Sequence, residues 1–133
     1  MNEKVYKAIE SGNFDGIDTL MADDMVDHDM HTGANVKGKD SVIAMLKGIH
    51  SMFKDVKFNV LASSYDAEHG YVMTLVEVSG TTMQADHGMP ANTPFSSKSV
   101  DVVQVKNGKA VEHWEYTDPI EMMKMMPEHK EMK

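Results

Sequence analysis

The sequence predicts an α+β domain in which N-terminal helices pack on one face of a strongly curved antiparallel sheet. Three observations predict it. Apolar residues recur at helical spacing up to about residue 53 and at strand spacing after it. Short turns, not crossover helices, join the strand-like stretches, as in a meander. The 133 residues suit one domain, 1–133, and no internal repeat divides them.

The first helical stretch, 2–21, carries Val5, Ile9, Phe14, Ile17, Leu20 and Met21 at helical spacing, with a break at Ser11-Gly12-Asn13. Gly12 reads as a helix C-cap and Asn13 as the cap of a following short helix. Residues 25–30 are short and polar and read as a strand, and 35–39 as a turn. Asp40 fits an N-cap for a second helix, 40–53, whose stripe is Val42, Met45, Leu46, Ile49 and Phe53. The period then changes: Val56, Phe58, Val60 and Ala62 alternate with their neighbours, a strand that ends before the turn Glu68-His69-Gly70. Tyr71 to Val78 is apolar on both parities, as in a strand covered on both faces. Gly80 to Ser97 reads as a long polar connection, and Val100–Lys106 and Lys109–Thr117 as a hairpin about Asn107-Gly108. Asp118-Pro119 stops that strand and opens a last helix, 119–126.

Composition removes several classes of function. The net charge is −8, and the thirteen basic residues, all lysine, form no run, so nucleic acid is not an expected partner. Without arginine there is no guanidinium clamp for a phosphate or carboxylate. Without cysteine there is no disulfide, thiolate metal site or cysteine nucleophile. No stretch approaches the ~20 apolar residues of a membrane span. The N-terminal MNEKVYKAIE has no apolar leader, so a cytoplasmic protein is expected. The fourteen methionines suit an irregular core or an apolar pocket.

Two stretches carry a resemblance. SGNFDGIDTLMADDMVDHD, 11–29, is similar to a family pattern of a small-residue and acidic helix followed by ADD and a histidine or aspartate. SVDVVQVKNGKAVEHWEYTD, 99–118, is similar to a pattern with GKI, EHW and a terminal aspartate. Between them SGTT, 79–82, and GMP, 88–90, resemble the loop between two long strands. On these residues the chain resembles the SnoaL-like polyketide cyclases, a branch of the nuclear transport factor 2-like (NTF2-like), ketosteroid isomerase-like superfamily. The resemblance implies the cone-shaped NTF2-like/cystatin-like fold, with a pocket enclosed by the curved sheet. The reaction stays open, because that superfamily holds cyclases, isomerases, dehydratases, hydrolases and non-catalytic binders.

Alternation puts Val111, His113, Glu115 and Thr117 on one face of the last strand, and Asp101, Val103 and Val105 on one face of the strand before it. The resemblance to ketosteroid isomerase, whose oxyanion-hole aspartate aligns with Asp101, assigns Asp101, His113 and Glu115 to the pocket. It also aligns Asp29 with the isomerase's general base, with His28 beside it on the opposite parity. The expected catalytic set is therefore Asp29, Asp101, His113 and Glu115, with Asp29 or His113 as base and a buried, protonated Asp101 as donor to an enolate oxygen. Ketosteroid isomerase itself keeps a carboxylic acid neutral in this way. His28, Tyr6, Met73 and Val103 are expected to contact substrate. The isomerase's oxyanion tyrosine falls on Val5, with Tyr6 about 100° around the helix, which argues against a plain steroid isomerase. Asp118 fits a helix cap better than an acid. The histidines His28 and His31 among Asp27 and Asp29 do not converge on a short strand, and the methionine-rich tail fits an apolar helix, so neither metal nor cofactor is expected. The expected function is cofactor-free acid–base chemistry, cyclase- or isomerase-like, on a small apolar carbonyl compound; the rival is a non-catalytic small-ligand-binding or protein-interaction domain, and a hydrolase or dehydratase is the third reading. A homodimer is expected, to cover the second apolar face of the sheet.

Overall fold

The computed structural model describes residues 2–28, 35–83 and 91–117. Helix α1 (Asn2–Ser11) leads through a 3₁₀ turn (Ile17–Leu20) into strand β1 (Met21–His28). Strand β2 (Asn35–Lys37) and helix α2 (Lys39–Met52) follow. Then come four long strands: β3 (Phe53–Asp66), β4 (Tyr71–Thr82), β5 (Pro94–Lys106) and β6 (Lys109–Thr117). All six strands form one curved open sheet in the order β2-β1-β6-β5-β4-β3. The expected α+β class and the helix-then-meander order hold.

Both helices lie against one face, here called the inner face. Ala8 and Ile9 from α1, Val42 and Leu46 from α2, and Ile17, Met21 and Met25 close a core on Val56, Val103 and Ala110 of the sheet. The outer face keeps Met73, Leu75 and Tyr116 exposed. Two polar braces fix α1. The Glu10 carboxylate accepts the Phe58 N–H at 2.7 Å, and His50 of α2 donates Nδ1–H to the Ile9 carbonyl at 2.6 Å, at the carboxyl end of the helix. Gly12 ends α1 at φ 81°. A Cβ there would meet the His50 ring at 2.7 Å, so the brace and the glycine require each other.

The structure corrects several boundaries. The first helix stops at Ser11, and Met21 opens a strand. Ile17 and Met21 both reach the core, so their spacing satisfies a helix pattern without a helix. Helix α2 is preceded by Gly38, at φ 94° and without a side-chain cap, so Asp40 sits in the first turn and acts on the helix dipole instead of capping. Strand β5 starts at Pro94, because Phe95 and the polar run Ser96–Ser99 pair with Gly80 back to Val76 of β4. Pairing with a long neighbour outweighs weak strand propensity there. The sheet is not wholly antiparallel: β1 runs parallel to β6, with Asp27 opposite His113 and His28 opposite Trp114. The Asn107-Gly108 turn is as expected, with both residues at positive φ. The expected last helix, 119–126, lies outside the described residues.

Candidate functional site

Cross-strand register decides what the inner face carries. Asp27 pairs with His113, His113 with Val103, Asp101 with Glu115, and Ser99 with Thr117. Beyond β5, Asp101 pairs with Thr74. Paired residues project to the same side, so one surface beneath α1 gathers Asp27, His113, Asp101, Glu115, Thr74 and Ser99.

Three of these groups, with Tyr6, form a continuous hydrogen-bonded chain. His113 donates Nδ1–H to Asp27 Oδ1 and Nε2–H to Asp101 Oδ1, each at 2.9 Å. The other oxygen of Asp101 accepts the Tyr6 hydroxyl. Tyr6 comes from α1 and stacks on Phe58, ring centroids 4.7 Å apart. A second polar contact seats the start of α1: Asn2 Nδ2 donates to Thr74 Oγ1 at 2.8 Å, beside Asp101. Asp27, Asp101 and Tyr6 are all buried, and the His113 side chain is 20% exposed.

Burial disfavours a charged imidazole, but the hydrogen bonds to Asp101 and Asp27, and the charges behind them, outweigh it. His113 is pushed up to about 10. At neutral pH it is an imidazolium, with both ring nitrogens donating and no lone pair to act as a base. Burial, and then the charges of Asp101 and Glu115, raise the Tyr6 phenol far above its usual range and keep it a donor. Two sequence expectations change here. His113 holds a proton instead of waiting to take one, and Asp101 receives two hydrogen bonds instead of giving one.

The remaining expected site residues divide by face. Glu115 shares the inner face and is partly buried. Val103 is on the same face but packs into the core. Met73 pairs with Val102, which pairs with Trp114, so it stands on the outer face and is 39% exposed. The register of β4 against β5 gives it the parity opposite to the one expected. His28 is also outside: it stacks on Trp114 with centroids 5.1 Å apart, and its Nε2 is 2.6 Å from Glu112. Asp29 lies outside the described residues. Asp27 is a site residue that sequence reasoning missed, although it shares strand parity with Met25, whose burial turns both inward. Among the described residues one group has metal-like spacing, Asp66, Glu68 and His69, at the exposed β3–β4 turn and away from this chain of hydrogen bonds.

A curved sheet with helices on its inner face is the architecture of the NTF2-like, ketosteroid isomerase-like proteins. The similarity to solved structures is of that kind. IdmH, a candidate polyketide cyclase from Streptomyces antibioticus, superposes with TM-score 0.73 at 22% identity, covering 93% of this chain and 94% of its own. A protein of ketosteroid isomerase-like fold from Catenulispora acidiphila gives 0.72 at 17%, covering 92% and 89%. An NTF2-like protein from Anabaena variabilis gives 0.73 at 11%, covering 88% and 83%. At these identities the likeness is one of fold. No curated protein matches this chain in sequence. The family model for the SnoaL-like polyketide cyclases matches residues 1–126, and the chain belongs to that family.

Proposed function

We propose that the protein is a cofactor-free acid–base enzyme, cyclase- or isomerase-like, acting on a small apolar carbonyl compound bound against the inner face. The observation that carries this reading is the buried chain Asp27–His113–Asp101–Tyr6. Enolisation needs a base at the carbon and an acid at the oxygen. In this reading the Asp101 carboxylate takes the proton from the carbon beside the carbonyl, and the His113 imidazolium gives its Nε2 proton to the carbonyl oxygen. Asp101 is then protonated and His113 neutral. Return of the proton from Asp101 to His113, across their 2.9 Å contact, resets the pair without a cofactor. Asp27 and Tyr6 are positioning residues: one orients the ring and favours its charge, the other holds the Asp101 carboxylate.

The rival reading is a non-catalytic ligand-binding domain. The occupation of both His113 nitrogens within the protein favours it, because a substrate oxygen must displace one of those bonds. Exchange of the α-protons of α-tetralone in deuterated water, followed by proton NMR, separates the two. The enzyme reading expects catalysed exchange that declines as pH rises towards 10 and His113 loses its proton. It also expects a loss of ~10²–10⁴ in rate for H113Q and D101N, with D101N milder than D101A because it keeps the shape. D29N tests the role that the isomerase alignment gives Asp29. Binding without exchange in the wild type, or exchange untouched by these variants, would sink the enzyme reading.

We further propose a cytoplasmic homodimer joined through the outer face. Met73 and Leu75 of β4 stand beside Val102 and Val100 of β5, and those beside Trp114 and Tyr116 of β6. An apolar patch across three strands favours a covering partner, and a second copy supplies one of matching shape.

A further inference from the structure

We propose that the Ser99 hydroxyl is a specificity determinant that reads a second oxygen on the substrate, apart from the carbonyl whose α-carbon lies at Asp101. The proposal rests on the acid–base reading for the location of that carbonyl. Six polar or charged residues are buried among the described residues: Asn2, Asp27, Thr74, Thr82, Ser99 and Asp101. Five have side-chain hydrogen bonds, Asn2 with Thr74, Thr82 with Thr93, and the two aspartates with His113. Ser99 is 5% exposed, and its hydroxyl has no hydrogen-bond partner among the described residues. Buried polar groups are rarely left so, because nothing offsets the lost hydration.

The position of this hydroxyl suggests what satisfies it. Ser99 lies two residues before Asp101 on the same face of β5, about 6.7 Å along the strand. Val76, fully buried, flanks it on β4, and Thr117 flanks it on β6. Two side chains at that separation reach the α-carbon and a second oxygen of one small molecule. With Asp101 and Glu115 close by, a second oxygen that is neutral, a hydroxyl or keto group, fits this position and a carboxylate does not. The ligand class is therefore a neutral carbonyl compound with a second oxygen function.

The test compares α-tetralone with its ring-hydroxylated analogues, by Kd from NMR titration and by kcat/KM for α-proton exchange. The wild type is expected to favour one hydroxylated isomer about tenfold, the worth of one well-made hydrogen bond. S99A should bring the two ketones within about twofold of each other, and S99T, which keeps the hydroxyl, should restore the preference. S99A should also unfold at higher temperature than the wild type, since it removes an unpaired buried group. A wild type with no preference, or a preference that survives in S99A, overturns the proposal. If the wild type exchanges protons and the preference survives in S99A, the acid–base reading stands and Ser99 alone is lost. If the wild type prefers the hydroxylated ketone in Kd without exchanging protons, the subsite stands and the acid–base reading is lost.

Discussion

Stability should fall as pH rises from about 6.5 towards 10, and His113 should be the cause. An imidazole in the unfolded chain loses its proton near 6.5, while His113 in the folded protein holds it up to about 10. Between those values the folded state binds one proton more than the unfolded state. Stability therefore decreases with pH by ~1.4 kcal/mol per unit, is fully present below 6.5 and is lost through the folded value. Over the whole window the contribution is ~3–5 kcal/mol, the lower figure allowing for the fifth of the side chain that water reaches. That is a large part of the ~5–15 kcal/mol that holds a domain folded. Tyr6 is raised from a phenol's usual value, and Lys39 is raised by its hydrogen bond to Asp23, so both titrate above this window.

The assay is urea unfolding at half-unit steps from pH 6.5 to 9.5, with the wild type beside two variants. D27N keeps an acceptor for Nδ1–H but removes a charge, so its window should close at a lower pH. H113Q should show no slope in this range and should be weaker than the wild type at neutral pH by ~3–5 kcal/mol, since two buried carboxylates lose their cation. A midpoint that stays flat in the wild type would refute the reasoning. So would an NMR titration of the His113 ring with a midpoint near 6.5.

Two further outcomes are expected. Y6F keeps the stack on Phe58 but removes a donor from buried Asp101, so it should cost ~1–3 kcal/mol in thermal or urea unfolding; an unchanged midpoint would mean that the hydroxyl does not hold the carboxylate. M73K with L75K puts two charges on the outer face, and light scattering at micromolar concentration should then give a monomer mass against a dimer for the wild type; a monomeric wild type removes the dimer outright.

The parts of this molecule that are legible in the sequence share one property: a period long enough to count. The stripe from Val42 to Ile49 places a helix within a residue, and the alternation on either side of Asn107-Gly108 places the hairpin turn and its last strand. The same alternation puts Asp101, His113 and Glu115 on one face, and the register agrees. What escapes is set by partners far along the chain. Residues 94–99 look like a loop because their strand character comes from β4. Asp27 escapes because its partner lies 86 positions away, and nothing local marks a carboxylate as half of an ion pair. Alignment with the isomerase favours Val5 over Tyr6 for the oxyanion position, yet Tyr6 is the helix residue whose hydroxyl reaches Asp101. An alignment fixes an angle around a helix only if the helix is rotated alike in both proteins. Met73 fails for a related reason: a strand's parity is known from sequence, but which parity faces inward depends on register.

Under the proposed acid–base function, the inner face separates what the fold requires from what the reaction would require. Ala110, Val103 and Val76 show that this surface packs well with apolar side chains. Replacing a buried ion pair with apolar groups is often neutral or stabilising, whereas removing one member of it is costly. Asp27, His113 and Asp101 are therefore not what the fold needs to close its core. They are a cluster that the fold must satisfy once it is present, and several groups are committed to satisfying it: two carboxylates for one imidazole, and a tyrosine from the opposite layer for the remaining oxygen. The rigid frame this creates holds an acid and a potential base in contact, and α1 is fastened to the sheet at three polar points, Asn2, Tyr6 and Glu10, around it. A domain that only needed to fold could omit every one of these groups. Under the proposed acid–base function, these groups would be needed at fixed distances, with the histidine already charged before the substrate arrives.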